Sequence, residues 1–374
     1  MDLLIVTNAP GEISTWVRPV ARAIKGGLEG VRISCLLLIC QFASGEEVYL
    51  LRQIQEIDHI LPISLYPRVF LKGRLPFGKK KGVVLHLGGD PVHSLVLAKR
   101  LGWRVLIYTY GPPRRVFRYF DRVMVLDEKA REDFVSSGIP MERMDVVGDL
   151  ITDSVEPSSS SPSKEGIIGL LPGSRREHFV HLLPLLIRVC DLLHKALPSY
   201  KFLLLVAKSI ERDWSIKEDY IETPSGVRIG VMRDGIEVMK GARLVITIPG
   251  SNTGQLAALG VPMLVILPLH LPHLIPMQGV IGLIGQIPLF GRHIKGYLIE
   301  KAKEGFIALP NIRAHRFIVP EMKGILDPDR IAMEALKYIE NLDRERVSFE
   351  LKAAMGPKGA STKVARVVYS MMEG

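Results

Sequence analysis

The sequence predicts an α/β protein of two Rossmann-like domains facing across a cleft, with helices at its C-terminus. Three observations carry that expectation. Short apolar runs rich in β-branched residues alternate with amphipathic segments, one Ser/Pro-rich stretch divides the pattern, and 374 residues is more than one core usually holds.

In the first half, "LLIVTN" (3–8) reads as a strand running into a Gly turn, and residues 14–25 as a helix capped by Ser14. "VRISCLLLIC" (31–40) is the next strand, followed by a helix from about 46 to 57 with Val48, Leu51 and Ile54 on one face. Then come "VVLHLGGD" (83–90), a helix through Leu101, "RVLIYTYG" (104–111), "RVMVLD" (122–127), a helix near 128–137 and "MDVVGD" (144–149). Strands this uniformly apolar need helices on both faces. "EPSSSSPSKEG" (156–166) cannot support a packed element and reads as a linker.

A second α/β pattern follows the linker. "IIGLLPG" (167–173), "KFLLLVA" (201–207), "VRIGV" (227–231), "ARLVITI" (242–248) and "VPMLVIL" (261–267) read as strands, with helices near 177–196, 234–240 and 252–259. From 329 onward the chain reads as helices. The expected division is therefore a domain over 1–155, the linker, a domain over 167–345 and a helical tail over 346–374. Ligands of such sheets bind at the carboxyl ends of the strands, where the loops converge.

Composition narrows the partners. Hydrophobic residues make up 47% of the chain and charged ones 24%, which excludes disordered and collagen-like classes. A formal charge of +10 predicts attraction to anionic partners. Cys35, Cys40 and Cys190 have no metal-ligand spacing and read as core thiols of a reduced, cytoplasmic protein. The N-terminus lacks the basic region of a signal peptide. The greasiest stretch, residues 261–290, is interrupted by Pro268, Pro272, Pro276 and Pro288, so it is not one straight spanning helix.

Several strand ends carry chemistry. In "TNAPGE" (7–12), Pro10-Gly11 makes a turn ahead of Glu12, which either complements a helix N-terminus or enters a site. In "LGGDPVHS" (87–94), Gly88-Gly89 would let the backbone approach a ligand, while Asp90 is either the N-cap of a helix starting at Pro91 or a general base. "YTYGPPRRVFR" (108–118) adds Arg114, Arg115 and Arg118, suited to an anion or to plain solvation.

In the second half, "LLPGSRREH" (170–178) offers Gly173 for close approach, Ser174 to cap the helix or bond phosphate, and Arg175 for charge. "IPGSNTGQLAALGVP" (248–262) presents Ser251, Asn252 and Thr253 at a helix start and Gln255 on its first turn. "LPNIRAHRFIVPE" (309–321) reads as a strand ending at Asn311, followed by Arg313, His315 and Arg316. Neither a P-loop nor G-x-G-x-x-G is present, and no motif argues for a metal.

Two stretches concern surfaces. Residues 65–82 interleave Tyr66, Phe70, Leu71, Leu75 and Phe77 with Arg68, Lys72, Arg74, Lys79, Lys80 and Lys81. This suits an anionic lipid surface; an ordinary basic loop and single-stranded RNA are the alternatives, the latter without a recognition motif. Residues 268–291 read as a lipid-facing or acyl-binding element, or as a buried subunit contact.

In their order these motifs resemble the lipid-A-disaccharide synthase family, glycosyltransferases of the GT-B fold. "LLPGSRREH", "PGSNTGQLAALGVPMLVI" and "LPNIRAHRFIVPE" are similar to its nucleotide-domain signatures. "NAPGEIS" resembles its N-terminal turn, "LGGDP" the segment with its proposed catalytic aspartate, and "VVGDLITD" the end of its first domain.

The resemblance implies transfer of an acylated glucosamine from a UDP-sugar to an acylated sugar phosphate, without a further cofactor or metal, on the cytoplasmic face of the inner membrane in lipopolysaccharide synthesis. It implies that Asp90 is the base, that Glu12 and Ser14 line the acceptor side, and that Ser174, Arg175, Gln255 and Asn311 hold UDP while Arg316 neutralises a phosphate. Partners would be the UDP-sugar, the acceptor and the anionic membrane, with a homodimer as one assembly and no nucleic acid. Thr15-Trp16 stands where the family continues Gly-Asp, and Gln255 where it carries Glu. Alternatives are another lipid-linked UDP-sugar transferase, a UDP-sugar 2-epimerase-like enzyme, or a non-catalytic nucleotide- or lipid-binding protein.

Overall fold

The computed structural model describes residues 1–27, 30–38, 46–73, 75–76, 81–156, 166–211, 218–233, 235–269 and 305–373. The chain divides into two units, Met1–Ser154 with Pro357–Gly374, and Val155–Gly356.

Among the described residues, the first unit holds a seven-stranded sheet in the order β3-β2-β1-β4-β5-β6-β7. The strands are β1 (Asp2–Thr7), β2 (Arg32–Leu37), β3 (His59–Leu61), β4 (Gly82–His86), β5 (Arg104–Tyr108), β6 (Arg122–Val125) and β7 (Met144–Val146), and all pairs are parallel. Every residue of β1 is buried. Its one charge, Asp2, is matched by Arg32 of the neighbouring strand, whose Nε and Nη2 donate at 2.9 and 2.8 Å, as a buried charge requires. The strand order reverses between β1 and β4, which makes their carboxyl ends the switch point of the sheet.

The helix after β1 departs from expectation. It starts at Pro10 rather than Ser14, as α1 (Pro10–Glu12), a π-helical turn (Ile13–Val17) and α2 (Arg18–Gly27). Ala9 is the N-cap, and the Ser14 hydroxyl bonds back to the carbonyls of Pro10 and Gly11, each at 3.0 Å. Pro10 at the first helical position allows the earlier start. The helix expected over 46–57 is shorter, α3 (Glu47–Arg52), and is followed by α4 (Tyr66–Lys72). Next in order are α5 (Pro91–Leu101), closed by Gly102 at φ 66°, α6 (Glu128–Ser136) and α7 (Leu150–Asp153).

The second unit has a seven-stranded sheet among its described residues, ordered β10-β11-β9-β8-β12-β13-β14. Its strands are β8 (Ile167–Leu171), β9 (Lys201–Leu205), β10 (Tyr220–Glu222), β11 (Arg228–Met232), β12 (Leu244–Thr247), β13 (Met263–Pro268) and β14 (Glu321–Gly324). Only the β10–β11 pair is antiparallel. The order reverses between β8 and β12. The α-helices among its described residues are α8 (Arg176–Ala196), α9 (Lys208–Glu211), α10 (Ser251–Leu259), α11 (Leu309–Ala314), α12 (Pro328–Glu340) and α13 (Arg344–Met355). Leu182, Leu186, Val189 and Leu193 form the buried stripe of α8 and enter the core with Phe202, Leu244 and Ile331.

The tail expected over 346–374 is not one piece. α13 packs on α10, whereas α14 (Ala360–Glu373) belongs to the first unit and packs on α2. Asp153 receives the Gly359 and Ser361 amides at 2.7 and 2.6 Å, and Tyr369 donates to the Ile24 carbonyl at 2.7 Å. The amphipathic pattern that predicts these helices does not say which unit takes each apolar face.

Candidate functional site

At the first sheet's switch point the structure places both predicted carboxylates after neighbouring strands, β1 and β4. Glu12 comes from the helix after β1, and Asp90 from the loop after β4. A side-chain carbon on Gly88 would collide with Glu12 Oε2 and lie 3.1 Å from Asn8 Oδ1; one on Gly89, at φ 89°, would lie 2.7 Å from Leu38 Cδ1. The two glycines, expected to admit a ligand, therefore admit Glu12 and Leu38.

Asp90 is the N-cap of α5 and accepts from the Val92 amide through Oδ1 at 2.9 Å, while its side chain stays partly exposed. The capping and catalytic readings are compatible, because a cap uses one carboxylate oxygen. The loop is tied by a residue the sequence reading passes over. His86, fully packed at the end of β4, bonds Ser94 Oγ through Nδ1 at 2.8 Å and the Gly89 backbone as well. Burial pushes its pKa down to about 4, so the ring is neutral near pH 7. His93, also unremarked in the sequence, is bonded through Nδ1 to the Tyr66 hydroxyl. A histidine at the end of an otherwise apolar strand and another inside the next helix turn are the signal for both.

Aromatic residues border this edge. Trp16, in the π-helical turn, packs edge-on to Tyr108 and Tyr110 with ring centroids 5.3 and 5.2 Å away. Tyr110 is 47% exposed, whereas Thr7 Oγ1, Asn8 Oδ1 and Trp16 Nε1 are buried without a hydrogen-bond partner among the described residues. Arg114, Arg115 and Arg118 are exposed.

At the second switch point two helices begin side by side. After β8, Gly173 sits at φ 107° with Ile248 only 2.7 Å from where a Cβ would be, so local packing alone demands glycine. Arg175, not Ser174, is the N-cap of α8; Ser174 precedes the cap, and both are partly exposed. After β12, Gly250 at φ 146° caps α10, and Ser251, Asn252 and Gln255 are partly exposed near its start. Paired helix N-termini present N–H groups and partial positive charge to an anion.

Three residues of the expected substrate-binding set make contacts within the fold. Thr253 is buried, its hydroxyl donating to the Gly250 carbonyl at 2.8 Å and accepting from the Leu309 amide at 3.1 Å. Asn311 lies in α11, not at a strand end. It is fully buried: Oδ1 accepts from the Ile318 and Val319 amides at 2.8 and 3.1 Å, and Nδ2 donates to Val319 O and Glu321 Oε1 at 2.8 and 2.9 Å. Glu321, absent from the sequence reading, also accepts the Ile307 and Ala308 amides at 3.0 and 2.8 Å. Arg316 is at the surface, paired with Glu350 at 2.7 Å. Thr253 and Asn311 thus tie α11 to α10 and to the segment that leads into β14, and Arg316 is paired at the surface.

Of the surface residues, Phe70 is partly buried and stacks on Tyr66 with centroids 5.0 Å apart, and Lys81 is exposed. Phe77, Lys79 and Lys80, like Cys40 and most of 268–291, lie outside the described residues. Among the described residues no helix is long and apolar enough to cross a membrane, and no three acidic, His or Cys side chains converge as metal ligands.

No family model matches the chain. It is 26% identical to the lipid-A-disaccharide synthase of Geobacter metallireducens, over 74% of this chain and 71% of that one, and 25% identical to that of Geobacter sulfurreducens, over 84% and 82%. Among solved structures it is similar to UDP-GlcNAc 2-epimerase from Neisseria meningitidis bound to UDP-GlcNAc, with TM-score 0.57 and 13% identity over 99% of this chain and 100% of that one. The glycotransferase of kitacinnamycin gives TM-score 0.55 and 13% identity over 99% of both chains. The structural likenesses identify the fold as GT-B.

Proposed function

Starting from a divergent relative of the lipid-A-disaccharide synthases, and hence a glycosyltransferase, we propose that this chain moves an acylated glucosamine from a UDP-sugar to an acylated sugar phosphate, as in lipid A disaccharide formation. The supporting observation is the division of chemistry between the two switch points: carboxylates Glu12 and Asp90 at one, the starts of α8 and α10 with Arg175 at the other.

In this reading UDP lies against the starts of α8 and α10. Backbone N–H groups and Arg175 meet its phosphates, and the amide and hydroxyl groups of Asn252, Ser251 and Gln255 face its sugar. Asp90 takes the proton from the acceptor hydroxyl while that oxygen bonds the anomeric carbon. The bond from that carbon to UDP breaks, and UDP leaves with an extra negative charge. Preorganised donors are most effective where charge develops, so Arg175 and the helix ends act on the leaving group without a metal ion. Glu12, pressed against Gly88, and Ser14 border the acceptor. Ile63, Leu71 and Val92, exposed by 42%, 61% and 47%, provide apolar surface on the same unit as basic Lys81, suited to an acyl chain at an anionic membrane.

The test is UDP release from a UDP-sugar by purified protein with and without the acylated acceptor. The expected outcome is release only with acceptor, with Asp90→Asn slowing turnover by about 10²- to 10⁴-fold while UDP still binds in calorimetry. Interconversion of the UDP-sugar without an acceptor would replace this reading with the epimerase-like one.

A further inference from the structure

Two aromatic residues of α4 immobilise a histidine one helical turn from Asp90. His93 is the third residue of α5, and its amide donates to the Asp90 carbonyl at 3.2 Å. In an N-terminal turn the cap and the third residue after it are side-chain neighbours, the geometry that a capping box uses. The His93 ring meets Tyr66 and Phe70 edge-on, with centroids 5.5 and 5.6 Å away.

Tyr66 is 6% exposed, and burial pushes its phenol up to about 12, so its O–H stays protonated and available to His93 Nδ1. The opposite ring nitrogen is different. Nε2 is neither bonded to a described residue nor among the buried unpartnered atoms. The ring is thus held in one orientation by three contacts, with one nitrogen left open on the turn that Asp90 caps. Fixing a side chain before binding removes the ordering cost from the binding step.

We infer that His93 is an acceptor-binding residue, its Nε2 hydrogen-bonding the incoming sugar phosphate next to the hydroxyl that Asp90 deprotonates. The inference rests on the glycosyl-transfer reading and names a contact within it. Burial lowers the pKa of His93, and Asp90 partly opposes that shift. The other titratable groups around the ring are Tyr66 of α4, protonated, and His86 of β4, neutral near pH 7. His93 therefore works as a neutral hydrogen-bonding group near pH 7 and gains charge only on acidification.

The experiment compares wild type, His93→Ala, His93→Gln and Tyr66→Phe, using an acylated glucosamine phosphate as the probe. In calorimetry His93→Ala is expected to bind it at least about tenfold more weakly, with UDP binding unchanged. In turnover, acceptor KM rises while donor KM does not, and Tyr66→Phe gives a smaller rise because its ring remains while its hydroxyl is lost. The dependence of acceptor KM on pH below neutrality is expected to be weaker in His93→Gln than in wild type, the ionisation of the probe's own phosphate remaining in both. Unchanged acceptor binding in a folded His93→Ala protein overturns the inference, as does an equal loss of UDP binding. Wild type that binds the probe but transfers nothing removes the glycosyl-transfer reading, while weaker probe binding by His93→Ala still supports the contact. Wild type that does not bind the probe at all overturns both.

Discussion

The two switch points use polar residues in opposite ways. At the first, polar side chains are left partly open: Asp90 is partly exposed, its loop is tied by His86, His93 follows on the same helix turn, and Glu12 packs on Gly88. At the second, much of the polar motif is structural. Thr253 and Asn311 have their hydrogen-bonding capacity taken up inside the loop, and Arg316 pairs with Glu350. What the second edge offers is mainly backbone at two helix starts, plus Ser174, Arg175, Ser251, Asn252 and Gln255. A polar residue can therefore belong to such a motif by holding its segment in shape.

The contrast is broken most directly at Asn311. Asn311→Ala strands two amides, one carbonyl and a share of Glu321 in the interior, and a loss of about 3 kcal/mol is expected, read as a lower thermal midpoint. UDP bound at saturating concentration should raise the midpoint of that variant as it does in wild type. A fold-neutral substitution that removes UDP binding would instead make Asn311 a ligand contact.

At the first edge the corresponding test is acid. His86 has its folded pKa lowered to about 4 from the model-peptide 6.5, so the unfolded chain binds the proton first as pH falls. The stability from keeping the ring neutral is complete above pH ~6.5 and is lost progressively down to about pH 4, a change of roughly 3 kcal/mol. His86→Gln should flatten that limb in thermal melts between those values; an unchanged slope would remove His86 from the acid response.

Two arginines sharpen the comparison with the smallest structural effects. Arg175→Ala should weaken UDP binding by roughly ten- to a hundredfold, the loss of a charge-assisted hydrogen bond. Arg316→Ala should leave UDP binding intact and cost under about 1 kcal/mol, as for an exposed ion pair. Equal effects of the two on UDP would contradict the structural assignment of Arg316.

Much of the fold was legible because buried parallel strands are near-continuous apolar runs, and β1, β4, β5, β8 and β12 are of that kind. The start of the first helix was misread because Ser14 has cap chemistry, while Pro10, at a favoured first-turn position, looked like part of a turn. Asp90 and Glu12 were legible as a pair only through their strand ends; that Gly88 brings Glu12 close depends on β1 and β4 being neighbours, which no local pattern states. Asn311 and Thr253 show the converse. Residue type announces hydrogen-bonding capacity, but not whether amides from Ile318 or Leu309 will arrive to use it.

The return of α14 to the first unit affects biogenesis. Residues 155–356 are contiguous, so the second unit needs nothing encoded after Gly356. The first unit does. Until Ala360–Glu373 emerges, the apolar face of α2 lacks its cover and Asp153 lacks the Gly359 and Ser361 amides. The first unit, though encoded early, is thus completed last. A stop codon or proteolytic nick near residue 357 would spare the later-encoded unit and damage the earlier one.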